Sequence, residues 1–70
     1  MNLIFKSAYE IHDIVKIRSV PDYSGKIIDA RLISSEIYYS YRIEYLIEKE
    51  GGSRQWLPEQ SIIGHVNIEG

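Results

Sequence analysis

From residue 37 to residue 47 the chain reads Ile37-Tyr38-Tyr39-Ser40-Tyr41-Arg42-Ile43-Glu44-Tyr45-Leu46-Ile47, and no other stretch narrows the fold as much. From Tyr39 onward, aromatic or β-branched residues alternate with polar ones. Tyr39, Tyr41, Ile43, Tyr45 and Ile47 therefore share one face, and Ser40, Arg42 and Glu44 the other. A period of two is the mark of a half-buried strand, because successive side chains leave a pleated backbone on opposite sides. The stretch is read as the central strand of a small antiparallel β domain, with Tyr41, Ile43 and Tyr45 in its core.

Little besides packing is available to hold such a domain. Seventy residues make one domain, near the size at which a single core only just offsets chain entropy. The absence of cysteine removes disulfides and thiolate metal sites. The two histidines, His12 and His65, stand 53 residues apart and form no zinc-ligand cluster, so neither a metal nor a cofactor is expected. Thirteen isoleucines against four leucines favour sheet, since a side chain stiff at χ1 suits a pleated surface. The net charge of −2, with Lys and Arg scattered singly, disfavours a protein that lives on phosphate contacts. Met1–Phe5 is too short for a signal peptide and no run reaches membrane-spanning length, so a cytoplasmic protein without membrane partners is expected.

Taken in order, residues 1–8 form an arm or edge strand, 9–63 the folded unit and 64–70 a tail. Tyr9–Arg18 is the first strand, with Ile11, Val15 and Ile17 inward and a turn or bulge near His12-Asp13 resetting the pleat. Ser19–Gly25 supplies Pro, Asp, Ser and Gly, a loop that carries Tyr23. In the second strand, Gly25–Ile33, apolar residues change parity: Ile27 and Ile33 are odd, Ile28, Ala30 and Leu32 even. A strongly bent strand that serves two sheet halves does this. Ser34–Glu36 connects to the tyrosine strand, and Gly51-Gly52 marks a hairpin. Ser53–Leu57 is the fourth strand, ended by Pro58. Pro58–Ser61 suits one 3₁₀ turn before a short closing strand, Ile62-Ile63.

That order resembles the Src-homology-3-like (SH3-like) barrel of the Tudor, chromo-barrel and KOW type, especially small single-domain forms of bacteria and their phages. Ile11-His12-Asp13-Ile14-Val15-Lys16-Ile17 is similar to the opening pattern of a hydrophobic residue, Gly-Asp and alternating valines. Gly25-Lys26-Ile27 resembles the start of strand two, Tyr41-Arg42-Ile43-Glu44-Tyr45 the centre, and Trp56-Leu57-Pro58-Glu59 with Ile62 the end. The chain departs from the pattern at His12, where glycine is preferred. The resemblance implies an all-β, five-stranded, strongly bent antiparallel barrel with a 3₁₀ turn before its last strand. The free-standing size and the isoleucine-rich composition suggest a phage or mobile-element accessory protein of a low-GC bacterium, and a monomer or weak homodimer is expected.

Catalytic signals are weak. His12 and Asp13 are neighbours, and on a strand neighbours point to opposite faces. No Ser, His and Asp constellation or phosphate-binding loop is evident. No catalytic residue is assigned, and the expectation is a binding module rather than an enzyme. In the resembling family, aromatics of the first loop, central strands and third hairpin form the binding cage. The matching positions are Tyr23, Tyr38, Tyr39 and Trp56, where cation–π attraction would operate. Leu57 fits the inward position, so Trp56 faces outward and marks a protein or peptide interface. Arg42 and Arg54, also outward, support the alternative of a KOW-like barrel that stacks on RNA or DNA.

Overall fold

A computed structural model describes residues 8–35 and 40–66. The described chain is all-β: five antiparallel strands in one sheet and a single 3₁₀ turn. The strands are β1 (Ile14–Ile17), β2 (Tyr23–Ser35), β3 (Ser40–Lys49), β4 (Arg54–Pro58) and β5 (Ile62–His65), with the turn at Glu59–Ser61. Their order across the sheet is β4-β3-β2-β1-β5. The sheet is not closed, so the expected complete barrel does not appear: β4 and β5 are its two edges.

The two edges nevertheless border one core. Val15 and Ile17 of β1, Ile27 of β2, Tyr45 and Ile47 of β3 and Ile62 of β5 form the core, and Leu57 of β4 packs against it. Strands at opposite ends of the ladder can share one core only if the sheet curls, and the one-turn link Glu59–Ser61 keeps them close. The buried Tyr45 hydroxyl donates to Glu59 Oε2 at 2.9 Å, tying β3 to that link.

Local chemistry explains where the strands differ from the sequence reading. β1 begins at Ile14 rather than Tyr9 because His12 adopts φ 82°, the left-handed region, and Asp13 N–H donates to Glu10 O at 3.1 Å to close a turn. Ile11 consequently leaves the core and is exposed. Asp13 Oδ2 also accepts the Glu10 N–H at 2.9 Å, so the aspartate caps the turn from within. The turn is fastened to β2 by His12 N–H to Ile27 O (2.7 Å) and Ile27 N–H to Asp13 O (2.9 Å).

β2 runs longer than Gly25–Ile33 at both ends, taking in Tyr23, which pairs with Ile17. Its change of parity has a discrete cause. Ile27 pairs with Ile47 but Asp29 with Leu46, leaving Ile28 as an inserted residue. Such a bulge bends the strand and swaps the side-chain faces beyond it. Hence Ile27 and, past the bulge, Ala30 and Leu32 share the core side, while Arg31 turns outward opposite Glu44. The hairpin β2–β3 overhangs the core, so Tyr41 is 64% exposed instead of buried. Gly51 and Gly52, at φ 97° and 95°, make the β3–β4 turn. β5 extends to His65, two residues into the stretch read as a tail.

Candidate functional site

The outer face of β2, β3 and β4 is where the sequence places its aromatic and basic candidates. Across β3, Leu46 pairs with Trp56 and Glu44 with Pro58, while Tyr45 pairs with Leu57. Leu57 joins the core, so Trp56 lies on the opposite, outward side and is half-buried there. It does not stand bare: the Arg31 guanidinium carbon lies 4.1 Å from the indole centroid, a cation–π stack.

Arg31 is held in that position. Its Nε and Nη2 donate to Glu44 Oε1 at 3.0 and 2.8 Å, and Arg42 Nη2 approaches Glu44 Oε2 at 3.3 Å. Glu44 is only 8% exposed, the one buried charged residue among those described. A carboxylate so placed loses hydration and must be repaid by its partners. The two arginines do this while keeping side-chain exposures of 45% and 62%. Below them Arg54 Nε donates to Glu48 Oε2 at 2.9 Å, a cross-strand pair.

The structure therefore brings Trp56 together with Arg42, and adds Arg31 and Glu44, which sequence reasoning did not single out. Arg54 lies on the same face but is matched with Glu48. Tyr23 is elsewhere. It packs half-buried against the core, on the other side of the sheet, and Lys49 Nζ sits 4.3 Å from its ring centroid. A cage needing Tyr23 and Trp56 around one ammonium group is not assembled, and Lys49 already occupies the Tyr23 ring. Tyr38 and Tyr39 lie outside the described residues. Parity sets Glu44 outward, but counted from Ile27 with an unbroken pleat Arg31 falls inward, and only the Ile28 bulge turns it out opposite Glu44.

Two concavities accompany these features. One of about 1100 Å³ runs along the first loop, lined by Lys16, Val20, Pro21, Tyr23, Lys49 and His65 among others. It is wide open, and Val20 projects from its rim almost fully exposed. The second, about 290 Å³, lies under the hairpin overhang between Leu32, Tyr41, Ile43 and Gln60.

At the far end of the sheet His65 Nε2 donates to Asp13 Oδ2 at 2.8 Å, with the Tyr9 ring 5.1 Å from the imidazole and edge-on to Tyr45 at 5.8 Å. The Asp13 carboxyl is held below its ordinary value, first by the Glu10 N–H and then by the His65 hydrogen bond. His12 is exposed, and no described contact joins it to this pair. Among the described residues, no group of three or more His, Cys, Asp or Glu could hold a metal ion, and no helix is long and apolar enough to cross a membrane. Comparison with protein-family models, curated proteins and solved structures finds no match to this chain.

Proposed function

We propose that this chain is a small SH3-like, Tudor-like domain that acts as a non-catalytic binding module for a protein or peptide. Its contact surface is the outer face of β2, β3 and β4. Three features support the SH3-like reading: the order β4-β3-β2-β1-β5, the 3₁₀ turn ahead of the last strand, and the return of β5 to pair with β1. The observation that carries the binding surface is the half-buried Trp56 with Arg31 fixed on its ring by the buried Glu44. Tryptophan and arginine dominate binding hot spots, tryptophan through its large rigid ring and arginine through its planar fork of donors. Here the cost of ordering Arg31 falls on the free domain, before any partner arrives.

The nucleic-acid alternative draws less from this geometry. Arg31, Arg42 and Arg54 surround Glu44 and Glu48, so this group of five carries a net charge of only +1, too little to hold a run of phosphates. Selection of peptides from a displayed random library, followed by amide chemical-shift mapping, tests the proposal. Shifts centred on Arg31, Glu44 and Trp56 are expected. Shifts centred on Tyr23 and Lys49, or failure to select any peptide, would refute it.

A further inference from the structure

The Glu44 cluster is unbalanced. One carboxylate faces two guanidiniums, and each guanidinium carries five N–H donors. Arg31 uses its Nε and Nη2 on Oε1, and Arg42 uses only Nη2, at the longer 3.3 Å. The rest of the outer face does not compensate. Among the described residues, register places Lys26, Arg31, Arg42 and Arg54 there against Asp29, Glu44 and Glu48, four cations to three anions. Glu48 is taken by Arg54, and Asp29 Oδ1 accepts the Ala30 N–H at 2.8 Å. The Ala30 N–H leaves the Asp29 charge in place, so the face keeps one positive charge in excess. Among its three arginines Arg42 is the most loosely matched, by the single 3.3 Å contact to the carboxylate that holds Arg31 on Trp56.

The strand next to this charge also has an open side. β4 is an edge of the sheet, and no described strand pairs beyond it. Its outward backbone donors and acceptors, from Arg54 to Leu57, offer a short ladder next to Trp56; Pro58 ends it for want of an N–H. A ladder of this kind is matched by another polypeptide backbone, since extended peptides add to exposed sheet edges. Nucleic acid has no such repeating amide.

Resting on the binding surface proposed above, we infer that its ligand is an extended acidic peptide. The peptide lies along β4, with a carboxylate on the Arg42 fork and an apolar side chain against Trp56. Bidentate carboxylate recognition is the chemistry a guanidinium with spare donors performs best.

The chain contains one tryptophan, so its fluorescence reports this face directly. The probes are capped heptapeptides alternating valine with glutamate, lysine or serine, and an oligothymidylate of similar length. The glutamate peptide is expected to change Trp56 emission saturably. Arg42→Ala should weaken it about tenfold, the loss of one charge-assisted contact. Arg42→Lys, which keeps the charge but not the fork, should weaken it about threefold. Circular dichroism confirms that both variants fold. Equal binding of the serine peptide overturns the acidic preference and leaves the surface intact. Tighter binding of the lysine peptide or the oligothymidylate overturns it in favour of those ligands. An emission unmoved by any probe up to about 5 mM defeats the inference and the surface together.

Discussion

Gly25→Ala is the substitution whose cost the structure specifies most directly. Gly25 is buried between Val15 of β1 and Lys49 of β3. A methyl group there would collide with Cγ2 of Ile47 and stand 3.1 Å from the Glu48 carbonyl oxygen. Ile47 cannot easily yield, being fully buried and fixed at χ1 by its β-branch. Forcing an extra carbon into a packed site costs about 1–3 kcal/mol, against about 0.4–1 kcal/mol returned by a less flexible unfolded chain. A net loss of about 1–2 kcal/mol, the middle of the resulting range, corresponds to a fall of roughly 4–16 °C in the thermal midpoint of a domain this size. Circular dichroism melts and urea titrations measure it, with an unchanged urea slope showing that the loss lies in the folded state. The collision names its partner, so a double-mutant cycle sharpens the test. Ile47→Leu removes the offending branch while conserving volume, at less than about 1.5 kcal/mol. In that background Gly25→Ala should cost under about 0.5 kcal/mol. A single-mutant cost within about 0.5 kcal/mol of zero, or an equal cost in both backgrounds, would show that Ile47 is not what requires glycine here.

Two further substitutions probe the turn that starts the sheet. His12 holds φ 82° with an exposed side chain, so His12→Gly should relieve strain and raise stability by up to about 1 kcal/mol in urea titrations, whereas His12→Val should lower it by about 1–2 kcal/mol. Because the Asp13 carboxyl is depressed below its ordinary value near 3.8, its stabilisation is complete above that value and is lost as pH falls through the folded-state value. Asp13→Asn should therefore flatten the decline of the melting midpoint on the acid side, between about pH 5 and pH 2; an unchanged acid limb would show that other carboxylates set it.

The periodicity of residues 40–47 identified β3 because that strand keeps one register against β4 and, from Tyr45 outward, against β2. What it could not show is where the core stops. Tyr41 has the same parity as Tyr45, yet β1 reaches only Lys26 on β2 and β4 only Glu44 on β3. Past those limits the hairpin has no layer above it, and an inward-facing tyrosine meets solvent. Alternation reports which side a residue takes and is silent on whether anything covers that side. The same limit moved Ile11 from core to surface once the chain turned at His12.

Arg31 shows why the site was harder to read than the fold. Counted from Ile27 with an unbroken pleat, Arg31 falls on the core side, and no reading would set its guanidinium on Trp56. One inserted residue, Ile28, reverses every position after it, bringing Arg31 opposite Glu44 and within reach of the indole. The mixed parity of Ile27, Ile28, Ala30, Leu32 and Ile33 carried this information, since an apolar set that changes side must contain either a twist or an insertion. A twist distributed over the strand leaves the pairing of Arg31 undetermined. An insertion fixes it, and with it the buried carboxylate and the excess of positive charge beside Trp56. The pattern that looked like irregularity in β2 is thus the feature that builds the candidate site.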